Sequence, residues 1–77
     1  MTVSVKFFAS LKDQIGCDGA AVEIGEVATA ADVWLQASGG KPMPDNVLVA
    51  VNMEYADRNA EVGDGDEVAF FPPVTGG

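Results

Sequence analysis

Hydrophobic and polar positions alternate at the start of the chain. In "TVSVKFFA", Val3, Val5 and Phe7 fall on one face and Ser4, Lys6 and Phe8 on the other. That period of two predicts a strand. "SLKDQIG" follows as a short helix, with Ser10 at its N-cap, Asp13 in its first turn and Gly16 as its stop. "AAVEI" reads as a second strand that puts Val22 and Ile24 together. The spacing then turns helical. In "TAADVWLQASGG", Ala30, Val33, Trp34 and Ala37 form the stripe to be buried. Thr29 caps this helix, Asp32 sits at the capping-box position, and Gly39-Gly40 closes it. "KPMPDN" is loop, "VLVAVN" a β-branched strand, "MEYA" a weaker strand or turn, and "VGDGD" a tight turn into the last strand, "EVAFF".

The predicted order is β-α-β-α-β-β-β. Its most economical packing lays the Trp34 helix across one face of a mixed sheet, an α+β domain of two layers. Val3–Ala9 and Glu67–Phe71 are the strongest central strands. If they pair, they run parallel, and the chain leaves from the middle of the sheet. Residues 1–71 form the domain on this reading, and residues 72–77 an extended, flexible tail. Pro72 and Pro73 cannot donate to a ladder, so they end the strand and impose an extended course.

Adjacent aromatics sharpen the picture. Phe7 and Phe8 cannot both face the core, nor can Phe70 and Phe71. With Val3, Val5, Phe7, Val68 and Phe70 toward the helix, Phe8 and Phe71 point away from it, and Tyr55 joins them. The alternative covers that face with a loop and makes these aromatics satellite core. So short a chain has little spare material for such a cover. The expectation is an exposed docking patch at the root of the tail.

Composition narrows the function. Seventy-seven residues make one domain, and 48% hydrophobic content suffices for one core. No run approaches the ~18 apolar residues of a membrane span. The start carries no signal-peptide pattern, and the lone Cys17 fits a reducing compartment, so a cytoplasmic location is expected. Twelve acidic residues against four basic ones give a net charge of −8, which argues against nucleic acid. The excess charge serves solubility or steers the domain to an electropositive partner.

Candidate chemistry is sparse. There is no histidine for acid–base work, and one cysteine holds neither zinc nor an iron–sulfur cluster. Gly63-Asp64-Gly65-Asp66 lacks the length and lysine of a phosphate loop, and Asp64, Asp66 and Glu67 lack calcium-loop spacing. Cys17 has no nearby base or cation in sequence and reads as an inert thiol. What remains is "FFPPVTGG". From Pro72 the tail reaches at most about 20 Å, and glycines without Cβ atoms make the thinnest end for a narrow channel. ATP can turn the Gly77 carboxylate into an acyl adenylate open to attack by sulfur or nitrogen.

The blocks "VKFFASLKDQIG", "LVAVNMEYA" and "DGDEVAFFPPVTGG" resemble the small subunits of molybdopterin synthase, sulfur carriers of the ubiquitin-like β-grasp family. The Phe-Pro-Pro-Val-x-Gly-Gly ending is the specific part. The resemblance implies a β-grasp fold of about five strands against one main helix. It also implies that Gly77 is adenylated by a ubiquitin-activating-like adenylyltransferase using ATP, then thiocarboxylated by a sulfur donor protein. Gly76 gives clearance, and Phe8, Tyr55, Phe71, Pro72, Pro73, Val74 and Thr75 meet the partner. That partner is the large subunit, in a heterotetramer of two small and two large chains, where sulfur passes to cyclic pyranopterin monophosphate. No bound cofactor or metal is implied, and the small subunit is not an enzyme alone. A sulfur carrier for thiamine thiazole synthesis, a ubiquitin-like protein modifier and a β-grasp binding domain stay open. A plant-type ferredoxin is excluded, because it needs four cysteines.

Overall fold

The alternating start becomes β1 (Thr2–Phe7), with Val3, Val5 and Phe7 buried and the residues between them exposed. In the computed structural model, which describes residues 1–25 and 28–72, α1 (Ser10–Ile15) and β2 (Gly19–Glu23) follow. Next come β3 (Ala28–Thr29), α2 (Ala30–Ser38), β4 (Leu48–Val51), β5 (Glu54–Ala56), β6 (Glu61–Val62) and β7 (Glu67–Phe71). Five strands form one mixed sheet in the order β2-β1-β7-β4-β5. β1 and β7 pair in parallel, from Ser4↔Glu67 to Phe7↔Phe70, and the other neighbours are antiparallel. The last strand therefore lies at the centre, as its apolar run predicts.

α2 supplies the second layer. The Thr29 N–H donates to Asp32 Oδ2 at 2.9 Å, and the Asp32 N–H returns a bond to Thr29 Oγ1 at 3.2 Å. This capping box leaves two more of the N–H groups that begin any helix without intrahelical partners. The Ala30 N–H donates to the Ala60 carbonyl at 3.0 Å and the Ala31 N–H to that of Arg58 at 2.9 Å. At the other end Gly39 adopts φ 76°, and the Gly40 N–H reaches the Leu35 carbonyl at 2.8 Å.

Trp34 is the centre of the core. It meets Phe7 and Phe70 edge-on, at ring distances of 5.6 and 5.0 Å, among buried Val3, Val5, Val33, Val49 and Val68. Its indole N–H still needs an acceptor when buried. The Lys41 carbonyl provides one at 3.0 Å, and buried Ser38 donates to the same oxygen at 3.3 Å. A buried ring with its one polar atom satisfied contributes its full apolar area to stability.

Three local readings change. Ser10 is the first helical residue and not a cap; Ala9 takes the capping position with φ 54° and no side-chain bond. The buried stripe of α2 ends on Ser38, with Ala37 only partly covered, because Ser38 turns inward to bond Lys41. β3 and β6, absent from the predicted order, form a separate antiparallel pair beside the start of α2. Within "MEYA", Glu54–Ala56 is a strand paired with β4 from Val49↔Ala56 to Val51↔Glu54, and Met53 belongs to the turn before it.

Candidate functional site

The sheet has two faces, and α2 covers one. On the other, Phe8 and Phe71 stack at 4.8 Å with ring planes 8° apart. Tyr55 tilts against Phe71 at 6.5 Å. Phe8 is 41% exposed and Tyr55 80%, while Phe71 and Pro72 are half-buried. Register explains the grouping: Ala50 lies opposite Tyr55 and Ala69, so two small side chains make a floor between larger walls. The resulting groove holds about 260 Å³ and is lined in part by Phe8, Ala50, Met53, Tyr55, Ala69 and Phe71. The structure thus brings Phe8, Tyr55 and Phe71 together where alternation puts them.

Local backbone geometry presents this face. The Phe8 N–H donates to the Phe70 carbonyl at 3.1 Å, which carries the β1–β7 ladder one residue past β1. The chain then swings into α1 through Ala9 at φ 54°. At the other rim, Asn52 and Met53 close the β4–β5 hairpin with φ 51° and 70°. These three are the only non-glycine residues of positive φ among the described residues, and they flank the outer face.

A second, more polar groove runs along β1 and β2, lined by Lys6, Phe8, Lys12, Asp18 and Gly19 among others. Gly19 is required there by close packing, since a Cβ would sit 2.8 Å from the Val5 carbonyl oxygen. Lys6 Nζ lies 3.6 Å from Glu67 Oε2, an exposed pair of small energetic weight.

The acidic turn before β7 is structural. Asp64 Oδ1 accepts from the Thr2 N–H at 2.8 Å. Asp66 Oδ2 accepts from the Gly63 N–H at 2.7 Å, and its Oδ1 from the Asn52 amide at 3.1 Å. The Gly63 bond first, and the Asn52 bond second, hold the Asp66 carboxyl below the usual aspartate range against a small opposing effect of burial. Among the described residues no three His, Cys, Asp or Glu side chains could hold a metal. Cys17 is half-buried against the core. None of the described helices is long and apolar enough to cross a membrane.

Gly76 and Gly77, with Pro73, Val74 and Thr75, lie outside the described residues. What the structure supplies is the point of departure: β7 reaches Phe71 in the middle of the sheet, at the edge of the aromatic face. Met53 is the surface residue that sequence reasoning missed. It is 92% exposed, and its signal is an Asn-Met pair between two alternating runs, where Asn-Gly is the usual hairpin loop.

A mixed five-stranded sheet holding one main helix, with the first and last strands parallel at its middle, defines a ubiquitin-like β-grasp protein. The chain belongs to the ThiS family, whose model matches residues 5–77. The molybdopterin synthase sulfur carrier subunit of Escherichia coli is 36% identical, with 97% of this chain and 99% of that protein covered. Among solved structures, small archaeal modifier protein 1 of Haloferax volcanii superposes with a TM-score of 0.80 at 28% identity, over 95% of this chain and 98% of that one. Subunit 1 or 2 in the molybdopterin-converting factor complex of Helicobacter pylori gives 0.66 at 27% identity, with both chains fully covered.

Proposed function

We propose that this chain is the sulfur carrier and small subunit of a molybdopterin synthase, with Gly77 as the atom-bearing end. An adenylyltransferase joins the Gly77 carboxylate to the AMP of ATP and releases pyrophosphate. Sulfide-level sulfur from the donor attacks the acyl carbon, AMP leaves, and a thiocarboxylate remains. In the large subunit the thiocarboxylate sulfur displaces an oxygen substituent from a carbon of the pterin precursor. Water then cleaves the acyl–sulfur bond, returning the carboxylate and leaving the sulfur on the pterin. The domain contributes no acid, base or metal to these steps. It supplies a docking face and a slender end, and the work takes place in the cytoplasm.

The observation that carries this reading is the joint position of β7 and the aromatic face. The central strand ends at Phe71, beside Phe8 and Tyr55, six residues before Gly77. A partner seated on that face is within the tail's reach of about 20 Å. Full-length likeness to the E. coli carrier subunit supports the choice of pathway. The likeness to a chain in the H. pylori two-subunit complex supports a large-subunit partner; on this reading it docks through Phe8, Tyr55 and Phe71 and receives Pro72 to Thr75.

Reconstitution with activating enzyme, ATP, sulfur donor, large subunit and cyclic pyranopterin monophosphate tests the proposal. Deleting Gly77 abolishes molybdopterin formation and leaves the fold intact; a bulky residue at position 76 acts similarly by blocking the channel. Cys17→Ala is nearly silent, because a half-buried thiol in acidic sequence surroundings is a poor persulfide carrier. An active Gly77 deletion with a dead Cys17→Ala variant overturns the carboxyl-terminal carrier. The likeness to a small archaeal modifier protein favours one second reading, in which the same activated glycine forms isopeptides. High-mass conjugates lost with Gly77 in native cells would mark it.

A further inference from the structure

We propose that Met53 is a partner-specificity anchor, held out by a strained hairpin turn for an apolar pocket on the synthase large subunit. The inference rests on the sulfur-carrier reading and adds to it a residue outside the aromatic trio.

Three observations point the same way. First, the conformation is one that Met disfavours. A two-residue hairpin loop with positive φ at both positions strongly prefers glycine at the second, because any Cβ is crowded there. Met53 sits at that second position with φ 70°. Second, nothing among the described residues explains the choice. Met53 is 92% exposed and lies outside the core cluster, so its side chain adds almost no burial to offset the strain. A strained residue that does not serve the fold marks a site where the strain serves function. Third, the turn is pinned. The Asn52 N–H donates to the Glu67 carbonyl at 2.8 Å, the Glu67 N–H donates to Asn52 Oδ1 at 3.0 Å, and the Asn52 amide donates to Asp66 Oδ1 at 3.1 Å. The hairpin tip is thereby fixed to the start of β7, and Met53 is offered from a set direction at the rim of the Ala50–Ala69 groove.

The occupant follows from continuity and chemistry. Met53, Tyr55, Phe71 and Phe8 make one apolar stretch that ends at the root of the tail, so whatever covers Met53 also receives Gly77. Two partners receive Gly77 in turn. Both release the carrier within each cycle, and the likeness to a chain in the H. pylori complex of subunits 1 and 2 favours the large subunit as the occupant. An exposed, unbranched thioether suits a contact there, because it adapts to an irregular apolar pocket. Preorganising it in the free domain reduces the ordering lost on binding.

The test compares the wild-type chain with Met53→Gly and Met53→Leu, by thermal unfolding and by calorimetric titration with the large subunit from the same organism. Met53→Gly relieves the turn and raises Tm, yet weakens large-subunit binding by about tenfold or more. Met53→Leu restores most of the affinity without raising Tm. Unchanged affinity in Met53→Gly, with wild type binding tightly, overturns the anchor and leaves the carrier reading standing. A lowered Tm in Met53→Gly overturns it too, because the methionine then serves the fold. A defect confined to adenylation by the activating enzyme assigns the residue to the other partner and overturns the proposal. A wild-type chain that does not bind the large subunit removes the carrier reading and this inference together.

Discussion

Phe7 and Phe8 are chain neighbours with opposite fates. Phe7 lies buried between Trp34 and Phe70, while Phe8 is 41% exposed and stacks on Phe71. The contrast extends across the whole sheet. Its inner face sends Val3, Val5, Phe7, Val68 and Phe70 against α2, where Trp34 fills the space between them. Its outer face carries a ridge of Phe8 and Phe71 with Tyr55 and Met53 beside it, and no described helix covers it. The same alternation that turns two rings of the sheet, Phe7 and Phe70, toward the core leaves three, Phe8, Tyr55 and Phe71, on the other side. A domain that needed these outer rings for stability would cover them. Leaving them bare suits a protein whose second layer on that side is another protein.

The largest expected effect is on the inner face. Trp34→Ala removes the centre of the core and two edge-on ring contacts, so it lowers stability by about 3–5 kcal/mol. Urea unfolding reads it directly, and a near-wild-type midpoint would mean that the helix layer is not what holds the sheet. On the outer face, Phe71→Ala costs about 2 kcal/mol or more of large-subunit affinity and less stability than the Trp34 change. A Phe71→Ala protein that unfolds readily but binds normally when folded would erase the distinction between the faces. The smallest effect lies at the seam beneath the hairpin tip. The Asp66 carboxyl is held low by Gly63 and then Asn52, so its contribution to stability is present above the unfolded value of about 3.9 and is lost as pH falls through the lower folded value. Thermal melts of wild type and Asp66→Asn should therefore differ at pH 7 and converge below pH 4. A gap that widens on acidification would reverse the assignment.

How much of this was written in the chain depends on how many residues each signal spans. The Trp34 helix announces itself through a stripe, a capping box and two glycines, and the structure follows it nearly residue for residue. Parallel pairing of the first and last long strands was equally legible, because both are strongly apolar and one must lie inside. β3 and β6 were not, since two-residue strands are too short to show a period. They lie beside the helix start, whose Ala30 and Ala31 N–H groups donate to the Ala60 and Arg58 carbonyls. Ser10 misled because its residue type suits a cap, while the turn at Ala9 takes that place. Of the outer face, Phe8 and Phe71 were readable by alternation, with Tyr55 added to them from a segment read as strand or turn. Met53 was not, because a hydrophobic residue in a turn follows no period and only its backbone angle gives it away.

The parallel pairing of β1 and β7 also decides how the domain answers force. The two strands hold each other from Ser4↔Glu67 to Phe7↔Phe70, and β4 grips β7 along its other edge from Leu48↔Phe71 to Val51↔Val68. A tug on the tail pulls along β7 and loads both ladders in shear, all rungs at once. Peeling, in which rungs give way singly, would need the pull to come from the side. In the proposed cycle that end enters and leaves a partner at every turn. The central strand roots it in two ladders instead of one, so a pull along the tail is shared between β1 and β4.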